Sequence, residues 1–143
     1  MKIRDVMTDR VVRIHPEESV SVAARSLTIH NIGMLPVCGN DGRVCGVVTD
    51  RDLVTRCIAS GRNPAATPVR DVMSANVVSA VSAMTTEEAA RLMGSRQIRR
   101  LPVVENGKLC GMVSLGDLAN RKETDVEAGK ALSEISNHLS QRD

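Results

Sequence analysis

Two spacings of apolar residues alternate along the chain. Short aliphatic or β-branched runs at residues 11–14, 34–38 and 43–48 predict strands. Between the first two, residues 19–30 place Val20, Ala23, Ala24 and Leu27 on one face of a helix. Gly39-Asn40-Asp41-Gly42 predicts the turn of a hairpin, and residues 50–60 predict a second helix with Leu53, Val54, Cys57 and Ile58 on one face. The order is β-α-β-β-α.

The same order then returns. Asp5-Val6-Met7-Thr8 is answered by Asp71-Val72-Met73-Ser74, a shift of sixty-six residues that also aligns Val11-Val12 with Val77-Val78, Ala23-Ala24-Arg25 with Ala89-Ala90-Arg91, and Leu35-Pro36-Val37 with Leu101-Pro102-Val103. Past the hairpin turn the shift is sixty-five, aligning Cys45-Gly46 with Cys110-Gly111 and Thr49 with Ser114. In the second copy, Thr85-Thr86-Glu87-Glu88 offers a capping box for a helix running to about Gly94; strands follow at 101–104 and 109–113, and a last helix at 115–121. A copy of this size is marginal for a core of its own, so the two are expected to fold together. The predicted repeats span residues 1–62 and 63–122, with a turn-rich link near Pro64 and Pro68. Residues 123–143 predict a C-terminal amphipathic helix, opened by a second capping pattern at Thr124-Asp125-Val126-Glu127 and carrying Ala128, Ala131, Leu132, Ile135 and Leu139 along one side.

Composition narrows the choice of function. A net charge of +2 argues against a nucleic-acid or membrane-surface partner. No run reaches membrane-spanning length and the N-terminus lacks the apolar stretch of a signal peptide, so a cytoplasmic location is expected. The chain has no Phe, Trp or Tyr. Any bound base must therefore lie between aliphatic side chains, and modules that stack bases on aromatic rings are disfavoured. Cys38, Cys45, Cys57 and Cys110 form no Cys-x-x-Cys pair and are expected as reduced, mostly buried thiols, with no metal site. His15, His30 and His138 stand apart, and no nucleophile-base-orienter set can be assembled, so no enzyme is expected.

Two junctions hold the candidate chemistry. Gly46-Val47-Val48-Thr49-Asp50-Arg51-Asp52 and Gly111-Met112-Val113-Ser114-Leu115-Gly116-Asp117 each run from a strand into a helix. A helix start exposes unpaired N–H groups that suit an anion, and a nearby hydroxyl adds a donor. The plain alternative is a capping box, in which Thr49 or Ser114 and the aspartate three residues on do nothing but finish the helix. Arg99 and Arg100 precede the second Leu-Pro-Val strand where the first copy has Gly33 and Met34, so the two sites are chemically unequal. Their bland reading, with Arg91 and Arg96, is a solvated basic face.

The Asp-Val-Met-Thr/Ser lead-in, the Leu-Pro-Val strand and Gly-x-x-Thr/Ser-x-x-Asp, each present twice in register, resemble the CBS-domain family, specifically a stand-alone tandem pair (Bateman module) over residues 1 to about 122. The resemblance implies an α+β fold of tandem pseudo-twofold βαββα repeats with clefts between them, here with a C-terminal helix added. It implies a non-catalytic regulatory sensor, with no cofactor required, whose ligand is AMP, ADP, ATP or S-adenosylmethionine. Thr49, Asp52, Ser114 and Asp117 would hold ribose and phosphate, with Arg100 and Arg99 reaching phosphate. Pro36 and Pro102 most simply shape the strand entry, while main-chain groups of Val12, Val78 and the Leu-Pro segments, Leu101-Pro102 among them, can pair with adenine edges. Met34, the counterpart of Arg100, is a further ligand-binding candidate. A homodimer, in many members a flat four-repeat disc, and an unidentified regulated protein are the expected partners. The rival reading is a stress-related interaction module with vestigial clefts that acts through its surface and tail helix.

Overall fold

A computed structural model describes residues 1–119 and 125–142, with side chains described except at 125–127 and 137–142. Thr124 and Arg121, and the Leu139 and His138 side chains, therefore lie outside the described residues. In the first repeat, helix α1 (Val20–His30) starts at Ser19, whose hydroxyl accepts from the Val22 N–H, and ends at Asn31 in the left-handed region. It buries Val20, Ala23 and Leu27. Strands β1 (Met34–Cys38) and β2 (Val44–Thr49) form an antiparallel hairpin with an irregularity at Val37/Cys38. Helix α2 (Asp50–Leu53) follows at once and loosens into a π turn over Val54–Ile58. The extra residue in that turn changes which side chains face inward. Leu53 and Cys57 are buried, but Val54 and Ile58, expected on the same face, point outward and are exposed.

The second repeat matches element for element: α3 (Thr86–Arg96), β3 (Arg100–Glu105), β4 (Lys108–Ser114) and α4 (Leu115–Ala119). Thr85 accepts from the Glu88 N–H, which is half of the expected capping box. Asn106 and Gly107, both at positive φ, make the tight hairpin turn. Helix α5 (Asp125–Arg142) forms as expected and packs on α3 and α4. Ala128, Ala131 and Ile135 are buried, whereas Leu132 of the expected stripe is partly exposed.

The strand expected at 11–14 shrinks to one parallel bridge, Ile14 with Val37, in which Ile14 N–H donates to the Pro36 carbonyl and Cys38 N–H donates to that of Ile14. The second repeat does the same with Ala80 and Val103. The reason lies in the proline. Extending either ladder toward Val12 or Val78 would need an N–H from Pro36 or Pro102, and proline has none.

The chain divides into two compact units that cut across its order. One comprises Val12–Val77 with Gly107–Leu109; the other comprises Met1–Val11, Val78–Asn106 and the chain from Cys110 onward. In the first unit the second lead-in closes on the first repeat: Val69 N–H donates to Glu18 O, and Ser74 exchanges backbone bonds with Val47 at the edge of β2. Its core gathers Leu35, Val37, Val48, Val69 and Val72. In the other unit the first lead-in closes on the second repeat. Ile3 N–H donates to Met84 O, Thr8 exchanges bonds with Met112, and Ile3 joins Met93, Leu101, Val103 and Leu118 in the core.

Candidate functional site

Both junctions form complete capping boxes. Asp52 N–H donates to Thr49 Oγ1 at 3.1 Å, and Thr49 N–H donates back to Asp52 Oδ2 at 3.0 Å. Asp117 N–H and Ser114 Oγ, then Ser114 N–H and Asp117 Oδ2, repeat this at 3.1 and 3.0 Å. The box occupies only part of each side chain. A hydroxyl that accepts still has its own proton to donate, and a carboxylate bonded through one oxygen retains the other. Capping and ligand contact are therefore compatible at the same atoms.

The junctions differ in the amides they leave over. At the first, Asp50 N–H donates to Gly33 O, and Arg51 N–H donates to the Asp50 carboxylate at 2.8 Å. An acidic side chain thus already sits where an anion would. Asp52 Oδ1 also faces Arg56 Nε at 3.8 Å. At the second, Leu115 N–H donates to Arg99 O, the counterpart of the Gly33 contact, but the next residue is Gly116. Its N–H has no hydrogen-bond partner among the described residues. Arg99 and Arg100 likewise have no ion-pair partner among the described residues. Both arginines line a pocket of about 460 Å³ with Ser114, Leu115 and Gly116, and α5 contributes Ala128, Gly129 and Leu132 to its wall.

The remaining candidates divide by unit. Val12, Met34 and Pro36 lie in the unit holding Thr49 and Asp52, with Met34 directly across the ladder from Thr49. Val78, Leu101 and Pro102 lie in the unit holding Ser114 and Asp117. The Leu101 side chain is fully buried in the core, leaving only its main chain for a ligand. The Pro36 and Pro102 carbonyls already accept from Ile14 and Ala80. Val12 and Val78 make no main-chain hydrogen bond among the described residues, so their polar groups stay open to a base edge.

Sequence reasoning missed Arg56. Its guanidinium donates to the carbonyls of Val72 at 3.0 Å and Met73 at 3.2 Å and to Ser74 Oγ at 3.3 Å, tying the first junction to the second lead-in. Its place one turn after Asp52 was a visible signal, but the partner seventeen residues on was not. The cysteines show matched structural roles: Cys45 Sγ donates to Val37 O and Cys110 Sγ donates to Val103 O, each at 3.3 Å. Cys38 and Cys57 are buried as expected, but Cys110 is half-buried and Cys45 is exposed. Partial desolvation still pushes the Cys38, Cys45 and Cys110 thiols up, away from the reactive thiolate. Among the described residues, no cluster of His, Cys, Asp or Glu could hold a metal, and no helix is long and apolar enough to cross a membrane.

Comparison with known proteins agrees with this architecture. The family described as CBS domain matches residues 3–58 and again 69–123. The CBS domain-containing protein YhcV of Bacillus subtilis is 42% identical over 134 residues, covering 94% of each chain. The crystal structure of Hypoxic Response Protein I with two coordinated zinc ions superposes with a TM-score of 0.78 at 30% identity, covering 85% of this chain and 98% of that one. The crystal structure of CBSX2 in complex with AMP gives 0.73 at 29% identity, covering 83% and 93%. The chain belongs to the CBS-domain family and carries two CBS domains in tandem.

Proposed function

We propose that this protein is a non-catalytic regulatory sensor for an adenine nucleotide or related adenosyl ligand. The phosphate end is held at the second repeat. One observation carries this assignment: the unpartnered Gly116 N–H opens onto the pocket that Arg99 and Arg100 line, whereas Asp50 closes the matching amide in the first repeat. Guanidinium groups pair with phosphate in a planar fork, and a free amide at a helix start adds a directed donor. The Ser114 hydroxyl is a further donor, and the second oxygen of Asp117 accepts from a ribose diol. The open main chain at Val78 faces adenine, without any aromatic platform. The complex of CBSX2 with AMP supports the ligand class. In the first repeat, the Asp50 carboxylate repels phosphate, so Thr49, Asp52, Val12 and Met34 suit a less charged adenosyl group. Ligand binding biases the protein toward the conformation that binds it better, and the regulated partner reads that shift.

Equilibrium dialysis of the full chain against AMP, ATP and S-adenosylmethionine tests the proposal. The lack of Trp and Tyr leaves the protein nearly transparent where adenine absorbs, so bound ligand can be read directly. Saturable uptake of at least one ligand is expected. No excess in the protein compartment for any of them would favour the interaction-module reading.

A further inference from the structure

Helices α3 and α5 each contain one glycine, and only one of the two has a packing reason. A Cβ built at Gly94 would lie 2.9 Å from the Ala131 Cα, so the absent side chain is what lets α5 approach α3. Gly129 lies in the second turn of α5, where glycine weakens a helix relative to alanine. A Cβ built there meets nothing within 4 Å among the described residues. Packing does not call for glycine at this position. The open space beside it is the pocket of about 460 Å³ that Arg99 and Arg100 also line. On the same wall Ala128 is buried and anchors the helix, while Leu132 is left 43% exposed.

Resting on the phosphate reading of this pocket, we propose that Gly129 is a specificity-determining residue: its missing side chain is the clearance for a phosphate chain longer than one group. Asp117 and Val78, the ribose and adenine candidates, are not among the residues that line the pocket. The nucleoside therefore lies outside it, and the pocket serves the phosphate end alone. Its volume exceeds what one phosphate fills, and its two arginines have no ion-pair partner among the described residues. The site accordingly favours ADP and ATP over AMP, which leaves the part beside α5 empty. A side chain at position 129 would strengthen the helix and fill the space the distal phosphates need. Stability and affinity then move in opposite directions, which a glycine kept for packing would not produce.

Calorimetric titration of ATP and of AMP into the full chain tests this, using wild type, Gly129→Leu, Gly129→Gln and the control Ser133→Leu. Ser133 is exposed on α5 and does not line the pocket. Thermal denaturation without ligand accompanies each titration, and Gly129→Gln keeps the test open should the apolar variant fail to fold. The expected result is tighter binding of ATP than of AMP to wild type. Each Gly129 substitution should weaken ATP at least about tenfold and AMP less, with a thermal midpoint no lower than that of wild type. Ser133→Leu should change neither affinity. ATP bound equally by wild type and both Gly129 variants would overturn this inference alone. So would ATP and AMP weakened alike, or the same loss in Ser133→Leu. Binding of neither nucleotide to wild type would overturn the sensor reading, and this inference with it.

Discussion

The sulfur of Met73 lies where a side chain on Gly46 would have to go. A Cβ built at Gly46 falls 2.6 Å from that sulfur and 2.8 Å from the Ser74 carbonyl oxygen. Gly111 meets the Met7 sulfur in the same way, with the Thr8 carbonyl oxygen at 3.1 Å. The glycine that opens each Gly-x-x-Thr/Ser junction therefore has a packing role: it admits the lead-in segment to the edge of β2 or β4. Gly46→Val and Gly111→Val should each lower stability by about 1–3 kcal/mol through overpacking. Chemical denaturation followed by circular dichroism measures this, and wild-type stability in both variants would refute the packing role.

The repeat was legible because both periodicities recur in register, and the capping boxes because Thr/Ser-x-x-Asp is a local pattern. The exchange of lead-ins was not legible. Asp-Val-Met carries no mark of which hairpin it will join, and only contacts between Met7 and Gly111 or Met73 and Gly46 reveal it. The lost strand at 11–14 could have been read, since Pro36 lacks the N–H that Val12 would need. The inequality of the sites was half visible in Arg99 and Arg100. Its other half, the Asp50 carboxylate on the Arg51 amide, depends on a side-chain orientation that spacing does not specify.

Glu105 accepts from both the N–H and the hydroxyl of Ser82, at 2.7 and 2.6 Å. The Ser82 hydroxyl and then its backbone N–H hold the Glu105 carboxyl below its ordinary range. A carboxylate pKa depressed in the folded state contributes stability that is present above the unfolded pKa and is lost as pH falls through the folded one. Glu105→Gln should thus be less stable than wild type at neutral pH, and the gap should narrow through the acidic carboxylate range. Denaturation at a series of pH values checks this; a gap that is constant or grows on acidification would contradict it.

Asp117→Ala should weaken binding of a ribonucleotide more than binding of its 2′-deoxy analogue, because only the intact diol loses a contact. The substitution also removes half of a capping box, at a cost of about 1 kcal/mol. Comparing the two ligands on one variant separates that structural loss from the ribose contact. Equal weakening for both ligands would rule out the ribose role.

Calorimetric titration of AMP into the wild-type protein and into Arg100→Ala tests the central claim most directly. The predicted result is saturable binding to wild type, weakened about tenfold or more in the variant through loss of a charge-assisted phosphate contact. No saturable binding to wild type, or equal affinity in the two proteins, would contradict it.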